Sequence, residues 1–244
     1  MISTPDVTLQ RAKELLRASQ SWLDTCAQIG LSVPSDRRDR FLTIERMTPK
    51  EYEERARGLV IECAVEPTPF GPALVAALDG ALCAVWFVGE GGEGAAMREL
   101  QRRWPDATLR HAPRATRQSG EALRARMEGH LDRPLGIFLI GTSLQLKVWE
   151  ALLSIPLGRV LSYRQVADLA QAPTAARAVG NAIGRNALAY LVPCHRVLRS
   201  TGSLGGYRWG LTRKLAILAR EQAILTKGPE GGIRRLRAKP RRGE

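Results

Sequence analysis

Apolar residues run almost unbroken through three successive stretches of strand length, 59–66, 73–78 and 81–88, and each reads as a strand against a core. Asp79-Gly80, between the second and third, accepts positive φ, so the spacing predicts a hairpin there. Helical periodicity follows over about Gly94–Trp104 and again over about Glu121–His130, leading to a strand at Ile137–Ile140. Ser162-Tyr163-Arg164-Gln165 has the form of a capping box, in which Ser162 caps a helix and Gln165 reaches back. That helix runs to about Ala170, breaks at Ala172-Pro173 and restarts behind Thr174 as N-cap, giving a helix-turn-helix unit. A last helix starts near Leu211 and carries Lys214, Leu218 and Glu221 on one face.

The second helix of the unit has two unlike faces. Ala176, Val179 and Ile183 form a core stripe, while Arg177, Gly180, Asn181 and Gly184 form a face with one cation and almost no bulk. Such a face fits either close helix–helix packing through glycine or the approach of a backbone to a nucleic-acid groove, with Arg177 projecting into the duplex.

The ends are patterned less regularly. Arg11–Leu16 and Trp22–Ile29 read as helices, Gly30-Leu31-Ser32 as a turn, and Asp39–Arg46 as the start of another helix. The Arg-rich stretch 102–117 reads as a solvated connection, and 226–244, with seven basic and two acidic residues broken by Gly and Pro, as a disordered tail. The pattern divides the chain into a small α module over 1–55, an α/β subdomain over 56–135, a mainly α helix-turn-helix subdomain over 136–225 and the basic tail.

A formal charge of +13 over 244 residues points to a polyanionic partner. Four cysteines, at 26, 63, 83 and 194, show no C-x-x-C spacing, so no zinc cluster is expected and a cytosolic, reducing compartment is. No apolar run has the length of a membrane span, and the N-terminus lacks a signal-peptide core.

The chemistry concentrates at Val192-Pro193-Cys194-His195-Arg196-Val197. A thiol attacks as thiolate, and an imidazole and a cation beside it, here His195 and Arg196, are the neighbours that lower its pKa. A Cys-His pair by itself is more often the mark of a buried structural cysteine, and the sequence on both sides is what changes that reading. Downstream, Gly205-Gly206-Tyr207-Arg208-Trp209-Gly210 is a loop whose backbone can come close to a ligand, and it lacks the strand-to-helix setting of a dinucleotide fingerprint.

With Ser162-Tyr163, Ala175–Gly180, Arg185-Asn186, Pro193–Val197, Gly205–Gly210, Lys214 and Glu221 in this order, the stretch from Gly141 to Glu221 resembles the catalytic domain of the O6-alkylguanine-DNA alkyltransferases. Met47-Thr48-Pro49-Lys50 followed by paired strands is similar to the Ada-type branch. Residues 6–55 resemble in part the last helix-turn-helix of AraC/XylS-type regulators, with Arg37-Arg38-Asp39-Arg40 departing from that pattern.

The resemblance implies a ribonuclease-H-like N-terminal subdomain and a winged-helix-like catalytic one. It implies that Cys194 accepts an alkyl group irreversibly from O6-alkylguanine, with O4-alkylthymine as a second candidate substrate, in double-stranded DNA after base flipping. His195 would deprotonate Cys194 through a water and Glu221 would orient His195. Asn186 would shape the turn between recognition helix and site, Arg177 would fill the stack, and Tyr163 would contact the flipped base. The backbone of Cys194, Val197 and Arg208 would read the base edge, with Lys214 close to the pocket and Gly180, Asn181 and Gly205 facing DNA or substrate. It implies a monomer and no cofactor or metal. A regulator of the alkylation response, or a damage-binding relative without transfer, are the other functions to weigh; Cys194 speaks against the last.

Overall fold

The computed structural model describes residues 42–47, 50 and 58–227, so the readings of 6–41 and of the tail beyond 227 lie outside the described residues. A six-stranded mixed sheet, ordered β1-β6-β4-β3-β2-β5, organises the first half. Its strands are β1 (Leu42–Met47), β2 (Val60–Glu66), β3 (Ala73–Leu78), β4 (Ala81–Phe87), β5 (Thr108–His111) and β6 (Leu135–Ile140). The predicted hairpin is present: β3 and β4 pair antiparallel, and the turn between them holds Asp79 at φ 49 and Gly80 at φ 82.

The alternation along these strands sorts side chains to two cores. Ala73, Val75 and Ala77 of β3 face the larger core, and Leu74, Ala76 and Leu78 face the smaller one. In β4 the alternation slips where the register shifts at Ala76/Ala77, so that Cys83 and Ala84 both turn to the smaller core. One helix, α1 (Gly92–Arg103), covers that side through Leu100. The larger core is closed by α2 (Pro113–Glu128) and by the helices of the second half, which is why β3 and β4 are buried along their whole length.

Three expectations are corrected here. Residues 42–47 form a strand rather than a helix, paired in parallel with β6 from Leu42↔Leu135 to Met47↔Ile140. Leu42 and Ile44 pack on the larger core and alternate with exposed Thr43 and Glu45, a period of two that the surrounding charges obscure. The sheet therefore begins inside the stretch assigned to the N-terminal module. Thr108–His111 is likewise an edge strand rather than part of a solvated connection, parallel to β2, with Arg110 ion-paired to Glu62 across the ladder. A charged edge strand of this kind resists further pairing. Helix α2 starts at Pro113, whose ring presets φ for a first turn, well before the expected Glu121.

The second half contains α3 (Ser143–Leu153), β7 (Leu161–Ser162), α4 (Tyr163–Leu169), α5 (Ala176–Gly184), β8 (Val197–Leu198) and α6 (Leu211–Lys227). The Ser162/Gln165 capping box is formed in both directions, and Thr142/Gln145 forms a second one at α3 that the sequence reading did not single out. Thr174 does not cap α5; the N-cap is Ala175, without a side-chain hydrogen bond. Ala176 is exposed, so Val179, Ala182 and Ile183 form the buried stripe. The last helix extends to Lys227, slightly into the stretch read as tail.

The halves are joined through the segment that leads to Cys194. Val85 of β4 donates to Ala187 O at 2.9 Å and accepts from Ala189 N at 3.0 Å, so the end of β4 beyond its pairing with β6 grips residues 187–189. Trp149 Nε1 donates to Ala182 O at 2.9 Å, fixing α5 on α3. Among the described residues no helix is long and apolar enough to cross a membrane.

Candidate active site

Cys194, His195 and Arg196 form one 3-10 turn. Parallel pairing of β7 with β8, Leu161↔Val197 and Ser162↔Leu198, brings the start of α4 beside this turn. Tyr163, Gly180, Asn186 and Cys194 thereby share the wall of an open cavity of about 260 Å³ with Tyr207 and Arg208.

Asn186 is buried and holds the approach to Cys194. Its Oδ1 accepts from Leu188 N at 2.9 Å, and its Nδ2 reaches Val192 O at 2.8 Å and Cys194 Sγ at 3.2 Å. The amide thus closes the turn after α5 and points a donor at the sulfur, where it favours thiolate over thiol.

Burial nevertheless dominates the sulfur, pushing Cys194 up to about 11 against the Asn186 hydrogen bond and the charge of Lys214. The expectation that Arg196 would activate the thiol is therefore corrected. Arg196 turns away, donating from Nε to Glu221 Oε1 and Oε2 at 3.1 Å each, from Nη2 to Oε1 at 2.7 Å, and from Nη1 to Ile155 O at 2.5 Å. The resting sulfur is a thiol, and attack requires a base.

The adjoining His195 is the candidate for it. Its Nε2 lies 2.9 Å from Glu221 Oε1, with both side chains fully buried. Burial raises the Glu221 pKa, but the charges of Arg196 and His195 outweigh it and hold the carboxyl down to about 2. An ionised Glu221 accepts only, so Nε2 carries the proton and Nδ1 keeps its lone pair. Burial, offset in part by Glu221, lowers the His195 pKa below its ordinary value, so the ring is neutral at pH 7 and able to take a proton. Nδ1 is buried and has no protein hydrogen-bond partner. Tyr190 stacks on the imidazole at 5.7 Å and donates to Arg126 O at 2.9 Å; at φ 69 it occupies a conformation that non-glycine residues rarely adopt. Tyr190 and the Arg196–Glu221 pairing are the parts of the site that sequence spacing did not bring forward; the presence of Arg196 within the motif was the available signal.

Lys214 is fully buried and braces the glycine-rich loop from behind rather than lining the cavity. Its Nζ donates to Val197 O at 2.6 Å, to Leu204 O, and to Gly206 O at 3.5 Å, and burial lowers its pKa to about 8. Val197 is likewise behind the wall, its N–H donating to Cys194 O. Gly205 has φ +64, and a Cβ there would meet Tyr163 Oη at 3.3 Å, so glycine lets the loop pass close over the tyrosine without strain. Arg177 and Asn181 are exposed on α5, away from the cavity lining, with Gly180 at its edge.

Of the other described cysteines, Cys63 and Cys83 are buried in the smaller core with pKa values raised by burial, Cys83 to about 12.

The sequence model for the 6-O-methylguanine DNA methyltransferase DNA binding domain matches residues 143–223. The bifunctional transcriptional activator/DNA repair enzyme Ada of Escherichia coli is 37% identical over 177 residues, covering 72% of this chain and 49% of its own. The chain thus spans about half the length, 49%, of the Ada relatives it matches. The methylated-DNA–protein-cysteine methyltransferase of Mycobacterium tuberculosis is 38% identical over 149 residues, 60% of this chain and 90% of that protein. The crystal structure of Mycobacterium tuberculosis OGT in complex with DNA superposes with a TM-score of 0.54 at 32% identity, covering 68% of this chain and 94% of that one. By sequence, fold and the match across the site, the chain belongs to the methylated-DNA–protein-cysteine methyltransferase family.

Proposed function

We propose that the protein repairs DNA by direct reversal, moving an alkyl group from O6-alkylguanine to Cys194 in a single irreversible turnover. The observation that carries this reading is the fully buried Glu221–His195 pair next in the chain to Cys194, which lines an open cavity together with Asn186 and Tyr163. The thiol proton passes to His195 Nδ1 through a bridging water. The thiolate then attacks the alkyl carbon; the S–C bond forms as the C–O6 bond breaks, and the electron pair stays on guanine, which takes up a proton. Asn186 and Lys214 offset the negative charge on sulfur while it exists. The product is a thioether, which has no route back to a thiol within this site.

A thiol recessed in a cavity cannot reach O6 of a base that stays stacked and paired in the duplex, so the base is extruded into the cavity at a cost of about a few kcal/mol. Arg177, exposed on the thin face of α5, fills the gap it leaves. Double-stranded DNA is the partner, bound by a monomer, with the sheet half ribonuclease-H-like and the helix-turn-helix half winged-helix-like. The basic tail adds phosphate attraction.

Cys194→Ser tests this reading. A hydroxyl is far less acidic than a thiol, so transfer should vanish while binding to an O6-methylguanine duplex persists. Residual transfer at the wild-type rate would reject Cys194 as the acceptor.

A further inference from the structure

The cavity at Cys194 shares a wall with a second one. Behind Arg208 and Trp209 lies a cavity of about 200 Å³, lined on its other side by Trp86, Gly91, Ala95 and Glu99 of the sheet half. Arg208 and Trp209 line both cavities and so form the partition between them. Trp209 rests edge-on against Phe87 at 6.0 Å and Tyr207 at 5.2 Å. Arg208 is held from the far side, its guanidinium 5.3 Å over the Trp86 ring and its Nη2 3.1 Å from Glu99 Oε1. The other Glu99 oxygen is taken by Arg102, so the carboxylate is fixed on its own helix and presents one oxygen to the loop.

We propose that Glu99 is a specificity-determining positioning residue: by anchoring Arg208 to α1 it keeps the partition closed, so that the pocket favours small O6-alkyl groups, and the cavity behind the partition is where a larger substituent goes when the anchor lets go. The proposal rests on the alkyl-transfer reading for its substrate. Glu99 touches no reacting atom; it acts through the position of Arg208 and Trp209. The anchor is half-exposed, which makes it strong enough to bias the loop and weak enough to open.

The test compares single-turnover rates of the full chain on duplexes carrying O6-methylguanine or O6-benzylguanine. In Glu99→Gln the methyl rate should stay within about twofold of wild type. The benzyl rate should rise about fivefold, the population shift that loss of a half-exposed ion pair allows. Glu99→Asp, which keeps the charge, should restore selectivity in part. An unchanged benzyl-to-methyl ratio in Glu99→Gln, or equal loss of both rates, would overturn the proposal. If the wild type transfers neither group, the alkyl-transfer reading fails by itself. The partition is then read without DNA, from the rates at which methyl and benzyl methanethiosulfonates label Cys194. The same rise in the benzyl-to-methyl ratio is expected in Glu99→Gln, and its absence would overturn the anchor.

Discussion

Replacing Glu221 by Gln probes the centre of the site with almost no change in shape. In the wild type the carboxylate accepts from His195 Nε2 at 2.9 Å, from Arg196 Nε on both oxygens at 3.1 Å and from Arg196 Nη2 at 2.7 Å. An amide keeps one acceptor and turns the other oxygen into a donor. If its NH2 stands at the Oε2 position it faces the Arg196 Nε–H; if it stands at Oε1 it faces His195 and forces the ring proton onto Nδ1, which removes the base. Either way Arg196, whose side chain is only 11% exposed, loses its counter-charge. Removing one partner of a buried pair costs about 3–5 kcal/mol, which for a domain of this size lowers Tm by roughly 10 °C. Loss of an oriented base slows transfer by about 10²-fold or more. Calorimetry and single-turnover transfer on an O6-methylguanine duplex measure the two effects below the variant's Tm. A variant that melts within about 2 °C of wild type and transfers at the wild-type rate would refute the reasoning.

Two other outcomes follow from the same geometry. Arg177→Ala should slow transfer from duplex DNA but not from free O6-alkylguanine, since only extrusion leaves a gap to fill; equal losses on both substrates would assign Arg177 to the chemistry or the fold. Glu221, held at about 2 in the folded state against an ordinary 4.5, contributes stability that is present above about pH 4.5 and lost as pH falls through about 2. His195, lowered from 6.5, works in the same direction below that pH, so denaturant titrations should show wild type losing its advantage over Glu221→Gln between about pH 4.5 and 2, and a constant gap there would contradict the pairing.

Local signals carried the parts of the fold that depend on neighbours in sequence. Asp79-Gly80, the Ser162/Gln165 box and the Lys214–Leu218–Glu221 spacing each act over a few residues, and the structure contains all three. The edge strands were less legible because partners elsewhere decide them: Leu42–Met47 needs β6, and Thr108–His111 needs β2 and the Glu62 pair for Arg110. At the site, Cys194, His195, Glu221 and Asn186 were readable from motif and spacing. The role of Arg196 was not, because its partner stands 25 positions away on another helix. Nor was the raised pKa of Cys194, since burial is a property of the packed whole.

The account stands most directly on where the alkyl group goes. Incubation of the wild-type protein with an excess of O6-methylguanine duplex, followed by intact and peptide mass spectrometry, should show one added methyl group per chain, confined to the peptide that contains Cys194. A methyl group on Cys26, Cys63 or Cys83, or repeated turnover with the protein left unmodified, would contradict it.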